Sequence, residues 1–290
     1  TGSVKQWGGY SSVLTIAVKP NQVTKLTQKS VTEDSITISF GKVKNADSYR
    51  IYLYDADGKQ LKKVDTKKTT YTFKKLDGGN YLFAVKACAK SDSYTAWSSL
   101  SKKTAIATKP GTVTDLKQTK ASTDTVTVGW TAASGAKGYA VYLYNESTEK
   151  YEKLGTTTAT SYKIKKLKTG QNYKIRVRAY LENNGKTVWG SNTTLEVVTR
   201  PGEVKELKKK SVTEKSITVS WKKLKNVDGY QIRCYDGDGK LVKSVKTTET
   251  KERFEELEKG TYTFKVRAYK STDSYTTYGT MSDAIEVSIE

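Results

Sequence analysis

SITVSW, residues 216–221, is written twice more in the same chain, as SITISF at 35–40 and TVTVGW at 125–130. In each run apolar and polar residues alternate and an aromatic closes the phrase, so one face of an extended segment turns to a core and the other to solvent. The spacing is regular. Phe40, Trp130 and Trp221 stand 90 and 91 residues apart, and the three prolines, Pro20, Pro110 and Pro201, keep the same intervals. Tyr81, Tyr173 and Tyr262, in GGNYLFAVKA, GQNYKIRVRA and KGTYTFKVRA, are spaced 92 and 89. Self-similarity at a fixed period decides the architecture before any local assignment does. The 290 residues therefore divide into copies expected at 21–110, 111–201 and 202–290, preceded by a tail at 1–20.

The tail has its own match. Trp7 lies 13 residues before Pro20 in WGGYSSVLTIAVKP, as Trp97 lies 13 before Pro110 in WSSLSKKTAIATKP. Residues 1–20 thus read as the last strand of a preceding copy whose body is absent, or as a linker. Within each copy, short runs rich in Val, Ile, Thr and Tyr are interrupted by turn signals every 8 to 12 residues or so, an all-β pattern. In the third copy SITVSW, GYQIRCY, KLVKSVKTT, TYTFKVRAYK and AIEVSIE each read as a strand. About seven such strands per copy hide their apolar faces only by closing two sheets over each other. No apolar run approaches the roughly 18 residues of a membrane span.

Three times over, these residues resemble the fibronectin type III domain. The inward aromatic ending the second strand is Phe40, Trp130 or Trp221. The Tyr opening the third strand is Tyr49, Tyr139 or Tyr230, and the Leu and Tyr flanking the turn before the sixth are Leu76 with Tyr81, Leu167 with Tyr173, and Leu257 with Tyr262. The resemblance implies three tandem seven-stranded immunoglobulin-like sandwiches in an extended array, with a corner Tyr whose hydroxyl bonds back to the backbone. The proline usual in that turn is missing from every copy. Few prolines, many lysines and threonines and no histidine look more like bacterial secreted and surface proteins than animal receptors.

Catalytic chemistry has little to work with. Histidine is absent, removing the commonest general base and metal ligand. Cys88 and Cys234 lie in different copies, so no metal cluster or redox pair is available. Alternation places Cys234 in the core and Cys88 outward as a half-exposed thiol, with a dimer-forming role as the lesser reading. DADG at 55–58 and DGDG at 236–239 could suggest calcium, but the later carboxylate and the flanking helices of such a loop are missing. Hairpin turns are the stronger reading and a weak calcium site the lesser. No enzyme activity, cofactor or metal is expected.

Charge is more informative. The chain carries +21, graded as +2 for the tail and +9 (17 basic, 8 acidic), +7 (14 and 7) and +3 (18 and 15) for the successive copies. Lys67, Lys68, Lys74 and Lys75, and likewise Lys163, Lys165, Lys166 and Lys168, gather near one sheet edge. Such lysines discourage strand pairing with other chains, or attract a polyanion. Outward parity also exposes Tyr52, Tyr54, Tyr142 and Tyr144, and the loops before the last strand hold Tyr94, Trp97, Trp189, Tyr275 and Tyr278. These aromatics either shield the sandwich ends or stack on sugars or a protein partner.

The expected function is a non-catalytic spacer and adhesion module of a secreted or cell-surface protein, semi-rigid because the connections around each Pro are short. Binding of anionic wall polymers or glycans, or service as an accessory module of a secreted hydrolase, are the alternatives. The partners expected are an anionic polysaccharide, a wall polymer or a surface protein, for a chain that is monomeric. Nucleic acid is disfavoured because no recognition motif accompanies the charge. Deleting residues 8–20 is expected to leave the melting temperature of the remainder within about 1 °C, since an orphan strand adds no core; a drop of many degrees would assign the tail to the first copy.

Overall fold

The computed structural model describes residues 3–13, 16–92 and 94–290, and every regular element among them is a β-strand. Among the described residues no helix is long and apolar enough to cross a membrane. The described chain packs as two compact units. One takes the chain through Gly111 together with Ser134–Ala136 and Tyr180–Gly190, and the other takes Thr112–Ala133, Lys137–Ala179 and Ser191–Glu290. In the tail, residues 3–13 and 16–19 form no strand. Trp7 is 90% exposed, whereas Pro20 is buried. Residues 14 and 15 of the expected last strand lie outside the described residues.

The first unit holds β1 (Thr27–Val31), β2 (Ile36–Ser39), β3 (Ser48–Asp55), β4 (Gln60–Thr66), β5 (Thr70–Phe73), β6 (Asn80–Lys90), β7 (Thr95–Trp97) and β8 (Thr104–Ala107). One antiparallel sheet runs β1-β2-β5 and the other β4-β3-β6-β7, with β8 also on β6. Ile36 and Ile38 from the small sheet meet Tyr49, Ile51, Leu53, Phe83 and Val85 from the large one, all at most 2% exposed. Alternation is the cause, since the buried residues of β2 and β3 fall at every second position.

The middle strands are β9 (Thr114–Ala121), β10 (Val126–Thr131), β11 (Gly138–Asn145), β12 (Lys150–Thr157), β13 (Ser161–Ile164), β14 (Asn172–Asn183) and β15 (Lys186–Val198). They order as β13-β10-β9 and β12-β11-β14-β15. The last are β16 (Lys208–Thr213), β17 (Ser216–Ser220), β18 (Gly229–Tyr235), β19 (Leu241–Thr247), β20 (Lys251–Glu255), β21 (Gly260–Ser271), β22 (Thr276–Tyr278) and β23 (Ile285–Ile289). They form β16-β17-β20 and β19-β18-β21-β22, with β23 on β21. Cys234 is fully buried in this last core, as its alternation implies, and burial pushes its thiol up to about 12.

One contact recurs in all three sandwiches. The closing aromatic of the second strand meets the opening Tyr of the third edge-on, with centroids 4.9 Å apart for Phe40 and Tyr49, 5.2 Å for Trp130 and Tyr139, and 5.4 Å for Trp221 and Tyr230. Each Tyr hydroxyl also accepts the backbone N–H six residues earlier, from Val43, Ala133 and Leu224. The corner tyrosines divide. Tyr81 and Tyr262 donate to the carbonyls of Asp77 and Glu258 at 2.8 and 3.0 Å. Tyr173 instead accepts the N–H of Lys168 at 2.7 Å. Its turn is one residue longer from Leu167, so the hydroxyl still bonds back to the backbone but in the opposite sense.

Cys88 also differs from its expected exposure, being fully buried. The parity is outward, but its partners across the sheet are Ser48 and Trp97, and the wide indole on the same face covers it. The last strands vary too. β15 runs unbroken for 13 residues, whereas the other two sandwiches break the ladder and fill the gap with serines. Ser98 and Ser101 accept the N–H groups of Ala87 and Val85 at 2.9 Å each, and Ser282 accepts that of Val266 at 3.1 Å.

Within the first unit the backbones of Gly78 and Gly135 touch, so a Cβ on Gly135 would stand 2.6 Å from the Gly78 carbonyl carbon. Nearby, Asn80 Nδ2 donates to the carbonyl of Glu182 at 3.0 Å. The second unit has a like bond from Asn172 Nδ2 to the carbonyl of Ser271, at 3.2 Å. Ser98→Ala and Ser101→Ala should each lower unfolding stability by about 1–3 kcal/mol, because each strands a buried N–H. Urea midpoints would read the loss at constant m-value, and an unchanged midpoint would show that the serine bonds are replaceable by water.

Candidate functional site

Strand alternation, having filled each core from one face, leaves the other face of the large sheet with long cations and tyrosines side by side. On β3 that face carries Arg50, Tyr52 and Tyr54. Arg50 is opposite Asp65 of β4 and grips it bidentately, Nε to Oδ1 at 2.7 Å and Nη2 to Oδ2 at 2.8 Å. The hydrogen bond holds the Asp65 carboxyl below its usual range and the guanidinium above its own. The same guanidinium lies 4.4 Å from the centre of the Trp97 ring. Tyr52 and Tyr54 stack at 6.3 Å, 17° from parallel, and Lys103 Nζ sits 4.2 Å over Tyr54.

The other two sandwiches repeat the theme with different residues. In the middle one Arg176 stands 3.7 Å over Tyr151 and Lys174 5.7 Å over Tyr144, and the two rings meet edge-on at 5.1 Å. In the last, Arg267 lies 4.0 Å over Tyr278, while Lys246 is 5.2 Å from Tyr269 and 5.6 Å from Tyr278. Each cation–ring contact contributes about 0.5–1 kcal/mol at an exposed site. Together they hold flexible side chains in fixed positions, a ready-made surface for an anion or a ring.

Of the residues singled out in the sequence, Trp97 and Lys67 are brought to one open cleft of about 800 Å³, together with Arg50, Asp65, Asp47 and Lys90. Tyr94 is outside it and 59% exposed. Lys68 shares the exposed turn of Lys67. Lys74 and Lys75 follow the edge strand β5, and Lys75 adopts φ 57°, as Lys166 and Glu256 do at the matching turns, so its backbone serves the turn. Trp189 packs on Tyr180 at 5.6 Å. Tyr275 and Tyr278 are half-buried in the last sandwich, and the Tyr275 hydroxyl accepts the N–H of Gln118 at 3.0 Å. The arginines and Lys246 that grip these rings were not singled out, although the outward parity of Arg50, Arg176 and Arg267 in RIYLYD, KIRVR and FKVRA was readable.

The two acidic turns are hairpins. Asp55 Oδ1 accepts the N–H groups of Asp57 and Lys59, Asp236 Oδ1 those of Asp238 and Lys240, and Gly58 and Gly239 supply positive φ. Among the described residues no group of three His, Cys, Asp or Glu is placed to hold a metal ion.

The family model of the fibronectin type III domain matches residues 111–195 and 202–280. Over 212 residues the chain is 29% identical to the human receptor-type tyrosine-protein phosphatase H, a match covering 70% of this chain and 18% of that protein. The chain thus spans under a fifth of that relative's length. Similar solved structures include the FN1–FN3 domains of chicken CNTN1, at 18% identity and TM-score 0.38 over 93% of this chain and 98% of that one. Another is a two-domain fibronectin type III segment of chicken tenascin, at 20% identity and TM-score 0.36 over 61% and 98%. That phosphatase is a human protein, and the match lends no support to the bacterial source that composition suggested.

Arg50→Ala should uncover Trp97. In a Trp7→Phe background, which removes the most exposed indole, acrylamide quenching of fluorescence is expected to rise about twofold, since the stacked guanidinium now shields the ring. Unchanged quenching would show that Trp97 is held by the sheet alone.

Proposed function

This chain belongs to the fibronectin type III family, and on that premise we propose that it is a non-catalytic spacing and adhesion module of an exported or cell-surface protein. Domains of this family are typical of extracellular adhesion and spacer modules and are generally structural. The observation that carries the reading is the recurrence of cations stacked on aromatics over the outward face of every large sheet. Such a surface offers charge and ring edges on rigid strands, which suits holding a partner more than transforming one. Both thiols are buried and histidine is absent, so the chain presents neither a thiolate nucleophile nor an imidazole base. Composition, with few prolines, many lysines and threonines and no histidine, remains the sole support for a bacterial source.

A second reading, capture of anionic wall polymers or glycans, is favoured by the +21 charge and by Lys67 and Lys90 flanking the Trp97 cleft. Binding to wall polymers, acidic polysaccharides and neutral glycans at about 50 and about 500 mM salt separates the readings, because screening weakens exposed charges between those limits. Salt-sensitive binding of anionic polymers is expected, with no polymer cleaved. Salt-resistant binding of neutral glycans would point to the rings instead. No binding at either salt would leave the spacer alone, and cleavage of any polymer would overturn the non-catalytic reading.

A further inference from the structure

One cleft in the second unit, of about 450 Å³, is lined by three cations and by no carboxylate. Lys120 comes from β9, Arg200 follows β15, and Arg267 comes from β21, with Tyr275 and Tyr278 forming the aromatic wall. None of these cations makes an ion pair among the described residues, in contrast to Arg50, Lys222 and Lys270, which hold Asp65, Glu206 and Asp228. The Trp97 cleft differs in the same respect, since two carboxylates line it.

Arg267 is the central charge. Its Nε donates to Gln231 Oε1 at 2.8 Å and its guanidinium lies on Tyr278, so neutral groups hold it in place without compensating it. Burial and the neighbouring charge of Arg233 press it toward losing its proton. Lys246 adds positive charge on Tyr278 from β19. An anion joining this uncompensated, partly desolvated cation would offset part of its desolvation cost.

The cleft is also built in advance. Gln118 N–H donates to Tyr275 Oη at 3.0 Å, and Thr277 Oγ1 donates to the carbonyl of Thr199 at 3.2 Å. Gly279 lies so close to Gly202 that a Cβ would stand 2.7 Å from its carbonyl oxygen. Little ordering is left for a ligand to impose.

We propose that this cleft binds an acidic polysaccharide, with a carboxylate or sulfate group held among Lys120, Arg200 and Arg267. The inference rests on the anion-capturing form of the adhesive reading and gives it a place. Planar guanidinium groups suit such oxyanions. Thr119, Thr276 and Thr277 line the same cleft and give it a polar wall suited to a sugar. The ring of Tyr278 is already occupied by Arg267 and Lys246, so it offers no open platform for the base stacking that single-stranded nucleic acid uses.

The test titrates the full chain with dextran sulfate, polygalacturonate and oligo-dT at about 50 mM salt. The variants are Lys120→Gln with Arg200→Gln, both exposed, the charge-preserving Lys120→Arg with Arg200→Lys, and, as a control in the first unit, Lys62→Gln with Lys63→Gln. The first pair should weaken binding of the preferred saccharide about tenfold and flatten its salt dependence, while the charge-preserving pair and the control stay within about twofold. Arg267→Gln, checked for an unchanged melting temperature, should weaken it at least as much. Preference for dextran sulfate or polygalacturonate identifies the group held, and either supports the site. Equal losses in the cleft pair and the control would overturn the site while leaving anion capture intact. Wild type that binds neither saccharide would overturn anion capture itself, and tighter binding of oligo-dT than of both saccharides would overturn the ligand class.

Discussion

The edge-on meeting of Phe40 with Tyr49, of Trp130 with Tyr139 and of Trp221 with Tyr230 is the contact on which each sandwich depends. It joins a residue of the small sheet to one of the large sheet, so it sets how the sheets face. The Tyr hydroxyl then ties down the chain crossing between them by accepting a backbone N–H. An aromatic pair contributes about 0.5–1.5 kcal/mol beyond its buried area. Its larger effect is on register, because a one-residue slip of either strand would turn that strand's ring to solvent and break the pair.

That register decides the outward surface as well. Once Tyr49, Ile51 and Leu53 point inward, Arg50, Tyr52 and Tyr54 have no other side to occupy. The same parity brings Arg176 to Tyr151 and Arg267 to Tyr278. Core and candidate surface are therefore two consequences of one alternation, and a substitution that shifts a strand would damage both. The outward stacks are not equivalent electrically. Arg50 is neutralised by Asp65, whereas Arg267 is steadied by an amide and a ring that leave its charge uncancelled.

Much of this was legible beforehand. GYQIRCY coincides with β18, and TYTFKVRAYK falls within β21. These central strands are buried on one face and alternate strictly. β16, β20 and β22 were not assigned; an edge strand such as KKKSVT is exposed at every position and carries no alternation. Cys88 was misplaced for the opposite reason. Parity gave its direction correctly, but only the folded sheet sets Trp97 beside it. The two residues of one cleft, Lys67 and Trp97, were each singled out, yet nothing in their separation along the chain joins them.

The sequence by itself determined the β class, the repeated phrases, the inward aromatics and the sign of the charge, because periodicity and composition are local properties that every stretch of chain displays. Tertiary structure alone decided which cations meet carboxylates and which meet rings, why Tyr173 reverses its hydrogen bond, and where a carboxylate-free cleft opens. Those outcomes depend on pairing across strands far apart in sequence. A single added residue in a turn, or one acidic side chain across a ladder, changes them without leaving a mark on the local pattern.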